Sequence, residues 1–255
     1  MHDTAYQYGR LFFQLYWDPA FHEIVELGSM NINGTLRDHR PAGARYLGLD
    51  LAPGRDVDLV VPPDAPLPLP LPDGSTDVVV TSSAFEHDIC FWETFVELVR
   101  ILRPGGFLYL NVPSNGPFHR CPLDCWRLYP DASIALTRWA ARRGQPVEIA
   151  ESFVGEPQGH GWADFVAVFH KPGPHPLRRR GRIADHSPTV NLHDGGEGEP
   201  ERLQKMQQKS FEYLRLETAN ARLAQSEAAL RDIRASRSWR VTAPLRRLTT
   251  LLRSH

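Results

Sequence analysis

Between residues 21 and 171, short apolar runs alternate with amphipathic segments of helical spacing, and this alternation leaves few architectures open. Strand-like runs fall at 23–27, 45–49, 76–81 and 106–112, with two more at 147–155 and 163–170. Helical patterns lie between them at 33–39, 90–102 and 133–143. The pattern at 90–102 is the clearest: Phe91, Phe95, Leu98, Val99 and Leu102 recur at steps of three and four and make one apolar stripe. Arg103-Pro104-Gly105-Gly106 then stops the helix, because proline cannot continue it and glycine supplies a turn conformation. Strand–helix–strand order needs crossovers, so a largely parallel sheet with helices on both faces is expected. The last two strands are joined only by a short stretch containing Gly155, Pro157 and Gly159. They read as a hairpin, which makes the final strand antiparallel to its neighbours.

The chain has 255 residues, 42% of them hydrophobic, enough for one sizeable core. A net charge of −1 speaks against a nucleic-acid footprint over the whole chain, and nucleic acid is not an expected partner. The first twenty residues hold no apolar leader, being broken by Arg10, Gln14 and Asp18, and no apolar run of about 18 residues follows. With the three cysteines Cys90, Cys121 and Cys125 this suggests reduced thiols and a cytoplasmic location. Cys121 and Cys125 lack a second ligand pair, so no metal site is expected there. Tyr8, Leu11, Phe12, Leu15 and Tyr16 have helical spacing. That helix either caps a ligand cleft or covers the sheet.

Four regions are expected. Residues 1–171 form the α/β domain. Residues 172–200, rich in Pro, Gly and charge, read as a flexible linker. Residues 201–235 are helix-forming, with Leu216, Leu223 and Leu230 seven apart and Ala219, Ser226 and Ile233 each three residues after one of them. That is a coiled-coil-like seam, suited to a homo-oligomer or a partner protein. Residues 236–255 interleave Arg237, Arg240, Arg246, Arg247 and Arg253 with Trp239, Leu245, Leu248, Leu251 and Leu252. Such a basic amphipathic tail suits an anionic membrane surface, peripheral at its inner face, or a docking partner.

The segment VELGSMNING links the first strand to the first helical pattern. Gly28 allows close backbone approach to a ligand, yet the stretch lacks the G-x-G-x-x-G that faces a pyrophosphate. Glu26 would repel phosphate and suits a cationic ligand. S-adenosylmethionine carries a sulfonium and an ammonium and no phosphate. Asp50 ends the second strand about twenty residues on, where an acid accepts hydrogen bonds from ribose hydroxyls. Asp58 and Asp64 follow, each able to accept from an adenine amino group.

In this order VELGSMNING, YLGLD, LPDGSTDVVVTSSAFEH and ILRPGGFLYLNVPSNG resemble a class I S-adenosylmethionine-dependent methyltransferase, over about residues 23–171. The resemblance implies a Rossmann-like, mostly parallel sheet with an antiparallel last strand. It implies that Glu26, Gly28, Ser29 and Gly34 lie at the methionine part of the cofactor, and that Asp50 binds the ribose. Asp64, with Asp58 as second choice, would meet adenine, and Ser83, Ala84 and Phe85 would line the pocket. The loop departs from E-x-G-x-G-x-G, with Met30 at the second glycine and Gly34 two places beyond the third. FEHD and NVPSNGPFHRCPLDCWRLYPD are similar to a narrower group encoded among bacterial surface-polysaccharide genes, and SRSWRVTAPLR is similar to tails in that pathway. This implies a sugar or glycan-linked acceptor.

Methylation of a hydroxyl calls for a base. His87 and His119 are the candidates, with a surface or capping histidine as the plain alternative for each. Glu86 either touches ligand or holds an amide at a helix start. In the insertion 113–131, Arg120, Asp124, Trp126, Arg127 and Tyr129 are the candidate acceptor contacts, the alternative being a lid with an internal Asp124–Arg127 pair. His160, in the hairpin turn, is a weaker one. A rival reading keeps the fold without catalysis, as a cofactor-binding scaffold that assembles other enzymes through the C-terminal helix.

Overall fold

The computed structural model describes residues 3–62, 67–158, 161–174, 176–204 and 211–243. The chain divides into two units, Met1–Met206 and Gln207–His255.

The first unit is built on an eight-stranded sheet. Its strands are β1 (Glu23–Leu27), β2 (Arg45–Asp50), β3 (Leu59–Val60), β4 (Thr76–Ser82), β5 (Leu102–Pro113), β6 (Glu148–Gly155), β7 (Asp164–His170) and β8 (Thr189–Asp194). The order across the sheet is β3-β2-β1-β4-β5-β7-β6-β8. Strands β1 to β5 pair in parallel, whereas β7 runs antiparallel to both β5 and β6. The expected hairpin and antiparallel last strand of the α/β domain are therefore present.

Helices α2 (Phe91–Ile101) and α3 (Asp131–Arg142) cover one face of the sheet, where Phe95, Leu98, Val99 and Leu136 pack on Val79, Leu108, Leu110 and Phe169. Helix α1 (Asp3–Tyr16) covers the other face, burying Tyr8, Phe12 and Tyr16 against Val80, Tyr109, Phe153 and Val168. Alternate residues of β4 and β5 thus serve opposite cores, which is why both strands read as unbroken apolar runs. The N-terminal helix covers the sheet, and its Thr4 also reaches the carboxyl edge through Asp164.

Two expectations need correction. The helix expected at 33–39 is only a 3-10 turn, Leu36–His39, capped by the Thr35 side chain on the Arg37 amide at 3.1 Å. Asn31 and Gly34 form a side-chain turn ahead of it (3.0 Å), and Pro41 follows at once, leaving no room for a longer helix.

The expected linker at 172–200 is mostly folded structure. Strand β8 lies inside it and pairs with β6, placing Leu192 in the core beside Ile183 and Ala184. Buried Glu151 of β6 accepts the amides of Ile183 (2.8 Å) and Ala184 (3.1 Å) and the Tyr16 hydroxyl (2.7 Å). Arg179 ties the segment down through the Ala150 carbonyl (2.9 Å) and Asp194 (2.6 Å). What reads as a solvated charge run is a strap across the sheet.

The second unit contains α4 (Phe211–Ala235) and α5 (Arg237–Val241). Leu216, Leu223 and Leu230 are exposed on α4, Leu223 by 58%. Ser236 caps α5, accepting the Trp239 amide at 3.3 Å. The expected tail residues Leu245, Arg246, Arg247, Leu248, Leu251, Leu252 and Arg253 lie outside the described residues. Among the described residues, no helix is long and apolar enough to cross a membrane.

Candidate functional site

The loops after β1, β2 and β4 leave the carboxyl edge of three adjacent parallel strands. Ligands of open α/β sheets bind at this edge. Gly28 has φ +81°, and a Cβ built there would stand 2.7 Å from the Ala84 Cβ. Only glycine lets the first and third loops close on each other at that point. The amides of Gly28 and Ser29 donate to the Leu49 carbonyl (2.9 and 3.1 Å), and the Met30 amide donates to Asp50 Oδ2 (2.8 Å). Asp50 Oδ1 accepts the Leu51 amide at 2.7 Å. Asp50 is half-buried, and each of its carboxylate oxygens keeps a further lone pair.

Glu26 is buried and accepts the Tyr46 hydroxyl at 2.8 Å. Burial pushes its carboxyl up to about 7, while Tyr46 and then Arg37 pull the other way. Ser29 is buried with its hydroxyl unpaired. Gly34 has Tyr6 of α1 as its neighbour and serves the turn before Leu36. Ser83 takes φ +53° and donates its amide to the Asn111 carbonyl at 3.0 Å. Phe85 turns away into the core against Phe91, so its side chain does not line a cleft. Asp58 also braces the fold, its Oδ2 accepting the Gly48 amide (2.7 Å) and pairing with Arg37. Asp64 lies outside the described residues, as does His160.

The tight turn after Ala84 presents Glu86 and His87, and the 114–130 insertion folds over it. The amides of Cys125 and Trp126 donate to the Glu86 carbonyl (2.7 and 3.2 Å), locking insertion to turn. His119 then faces His87, with ring centroids 5.1 Å apart. Glu86 is 1% exposed, and its Oε2 has no partner. Burial pushes its carboxyl up to about 8, against the pull of its own amide and Arg127. The amide just ahead of α2, that of Cys90, is held by Asp88 at 2.8 Å and not by Glu86.

Several expected acceptor contacts are instead the frame of the insertion. Asp124, with a side chain only 2% exposed, takes both Arg127 nitrogens (2.6 and 2.9 Å) and the His119 amide (2.7 Å). Arg127, followed by burial acting against it and the His119 amide acting with it, holds the Asp124 carboxyl well below the usual range. Trp126 packs on Phe91 and Trp92 and donates to the Asp88 carbonyl at 2.8 Å. Spacing could not reveal this, because an Arg–Asp pair and a tryptophan serve a lid and a sugar site equally well. Arg120 and Tyr129 (62% exposed) do face outwards, and so does Phe118 (75%), which the sequence reading passed over.

Asn115 and Trp162 were also missed. Asn115 clamps the β6–β7 turn through Gly161 (3.1 Å) and Ala163 (2.7 Å). Trp162 lies over Gly116, where a Cβ would meet its ring at 2.0 Å, and it flanks His119 with ring centroids 5.5 Å apart. Beneath this edge Ser82 and Asn111 are register partners on β4 and β5, both buried with side-chain polar atoms lacking a partner. Buried polar atoms left open at a ligand edge are natural points for substrate or water.

Residues 35–110 match the methyltransferase-domain family model. Over that stretch the chain is similar to methyltransferases. Over 117 residues it is 32% identical to an uncharacterized methyltransferase of Mycobacterium avium, covering 42% of this chain and 46% of that one. Over 133 residues it is 31% identical to a probable S-adenosylmethionine-dependent methyltransferase of Mycolicibacterium smegmatis, covering 51% of this chain and 42% of that one. The chain thus spans under half the length of these curated relatives. In fold this chain is similar to the 1,6-didemethyltoxoflavin-N1-methyltransferase of Burkholderia thailandensis, solved with S-adenosylhomocysteine (TM-score 0.51, 14% identity, 66% of this chain and 78% of that one).

The Mycolicibacterium smegmatis relative is S-adenosylmethionine-dependent by name, and the carboxyl edge of β1, β2 and β4 has a donor set that fits that cofactor. The Gly28–Ala84 approach leaves a cradle that a Cβ would fill, Asp50 keeps open acceptor sites, and Glu26 offers a buried carboxyl group. Gly28, Asp50 and the Ser83–Ala84 backbone would hold the cofactor, with Glu26 answering its positive charge.

Proposed function

We propose that this chain transfers a methyl group from S-adenosylmethionine to a hydroxyl of a sugar or glycan-linked acceptor. The observation that carries this reading is the facing pair of His87 and His119, with His87 three residues beyond the Ala84 that closes on Gly28. S-adenosylmethionine, when bound, supplies a methyl group already activated on sulfur. The chain's own work is to align the acceptor, exclude water and deal with one hydroxyl proton. The His87–His119 cluster stands where that proton leaves. The insertion roofs the cluster, with Arg120, Phe118 and Tyr129 available to a polar ring. Its resemblance to enzymes encoded with bacterial surface-polysaccharide genes supports a glycan acceptor over a nitrogen one. Such a reaction belongs at the cytoplasmic face of the membrane, where the basic tail would hold the enzyme.

The direct test is methyl transfer to a panel of sugars and glycan fragments, with amines and phenols as controls. His87→Ala is expected to lower turnover by about two orders of magnitude or more while changing cofactor affinity less than about threefold. Equal turnover would clear His87 of the role. Transfer only to amines would overturn the acceptor class.

The seam on α4 supports a further part of the reading, self-association of the second unit through Leu216, Leu223 and Leu230. Leu223→Glu in the full chain is expected to lower the mass measured by light scattering to that of the monomer. An unchanged mass would exclude this seam as the interface.

A further inference from the structure

Glu86, His87 and His119 each offer one ligand atom, and these atoms all lie within 4.8 Å of one another. We propose that they bind a divalent first-row transition metal of the zinc type, with open positions left for two oxygens of the acceptor. Two imidazoles and one carboxylate suit zinc, manganese, iron or cobalt better than the all-oxygen shells of magnesium and calcium.

Three observations point to a ligand rather than to a chance cluster. First, Glu86 is fully buried and its Oε2 has no partner, although a buried carboxylate normally finds one. Second, His87 presents Nε2 to Glu86 Oε1 at 3.7 Å, while its Nδ1 is engaged by the Leu123 carbonyl. An Nδ1–H donated to that carbonyl leaves Nε2 as the lone-pair atom. Third, His119 has Nδ1 beside the Pro117 carbonyl (3.3 Å) and Asp124 Oδ2 (3.4 Å), and a proton held on Nδ1 by these acceptors leaves Nε2 as its lone-pair atom. Metal-binding histidines are commonly oriented in this way, the far nitrogen donating to a carbonyl or carboxylate.

Arg127 also comes within 3.4 Å of His119 Nδ1, and a guanidinium beside a cation site counts against it. Its charge is already answered by the two-point pair with Asp124. The spacing is within reach of closure. A five-coordinate metal with bonds of about 2.1 Å spaces neighbouring ligands roughly 3.0–3.6 Å apart. The Glu86–His87 separation is close to that, and His119, partly exposed on the insertion, has room to turn. The exposed cysteines Cys90, Cys121 and Cys125 take no part.

The catalytic consequence rests on the hydroxyl-methylating reading; the binding of the cation does not. A metal here lowers the pKa of an acceptor hydroxyl bound to it, so that the proton leaves to solvent and the imidazoles act as ligands. The site would then favour acceptors with two neighbouring oxygens, as sugars have.

The test is a titration of the metal-stripped full chain with Co2+ and Zn2+, without cofactor or acceptor. About one equivalent is expected, with visible bands of a low-symmetry cobalt site. Glu86→Gln and His119→Ala should each weaken binding at least tenfold, while Cys121→Ser with Cys125→Ser should leave it unchanged. If Glu86→Gln does not fold, His119→Ala, on the insertion, still decides. Binding lost only in the cysteine variant, binding unaffected by His119→Ala, or no stoichiometric binding would each overturn the proposal. S-adenosylmethionine affinity, measured alongside, reports on the methyltransferase reading by itself and is expected to survive His119→Ala.

Discussion

Asp50→Ala should weaken S-adenosylmethionine binding by two to three orders of magnitude and leave the fold intact. The argument starts from the position of Asp50 at the carboxyl end of β2, half-buried, with one oxygen holding the Met30 amide and the other the Leu51 amide. Each oxygen has a second lone pair, which is what a pair of ribose hydroxyls needs. Hydrogen bonds to a charged acceptor contribute about 1.5–3 kcal/mol each, so losing two costs roughly 3–5 kcal/mol of binding. The loop itself should stay in place. Gly28 and Ser29 remain anchored on the Leu49 carbonyl, which the substitution does not touch. Asp50→Asn keeps one acceptor oxygen and should lose about tenfold, falling between wild type and alanine. Calorimetry with S-adenosylmethionine and S-adenosylhomocysteine measures all three proteins. An affinity for Asp50→Ala within threefold of wild type would take Asp50 out of the site.

Much of the frame around Asp50 can be read directly from residue patterns, because strong period-two and period-3.6 segments leave little choice. The stripe Phe95–Leu98–Val99 of α2 and the apolar runs of β4 and β5 are such cases. Short elements are harder. The two-residue β3 has no pattern of its own and exists because Leu59 and Val60 extend the register of β2. Strand β8 is hidden by its surroundings. Thr189–Asp194 alternates properly, with Val190 and Leu192 inward, but it is embedded in Pro, Gly and Arg that resemble a linker. Those arginines find Asp194 and Glu201, partners 12 to 19 residues along the chain that composition cannot pair. At the site, the ordered motifs located Gly28, Asp50 and the turn after β4. They could not tell which polar residues of the insertion face the ligand and which hold the insertion together. Asp124 and Arg127 are three residues apart and satisfy each other, so they frame the site, while His87 and His119 meet across more than thirty residues only because the Glu86 carbonyl pins Cys125 and Trp126.

Glu26→Gln is expected to raise the melting temperature at pH 8 and, in the same protein, to weaken the cofactor. Glu26 is buried on β1, and burial lifts its carboxyl to about 7 despite the hydroxyl of Tyr46. A carboxyl whose folded pKa lies above its unfolded one takes up a proton on folding. Its stabilising share is complete below the ordinary carboxylate pKa of about 4.3 and is lost as pH rises through about 7. That share is on the order of 3 kcal/mol. Glutamine keeps an acceptor for Tyr46 and never ionises, so at pH 8 it should melt roughly 5–10 °C higher. Near pH 4 the two proteins should melt together. Glu86 and Glu151 are shifted the same way, so the variant loses only its part of the wild-type slope. Asp58, Asp124 and Asp185 are shifted down, and their effect falls in acid, outside this window. A chelator in every sample keeps any cation at Glu86 from entering the comparison. The opposite effect on binding follows from the same carboxylate. A cationic ligand draws Glu26 into its ionised form, and the amide cannot answer that charge, so affinity should fall about ten- to a hundredfold. For the same reason wild-type affinity should rise with pH through about 7, whereas that of the variant should stay flat. Parallel melting curves from pH 5 to 8 would show that Glu26 does not titrate in this range. A variant that gains stability yet binds the cofactor as wild type does would place Glu26 in the core of the fold and outside the methyl-donor site.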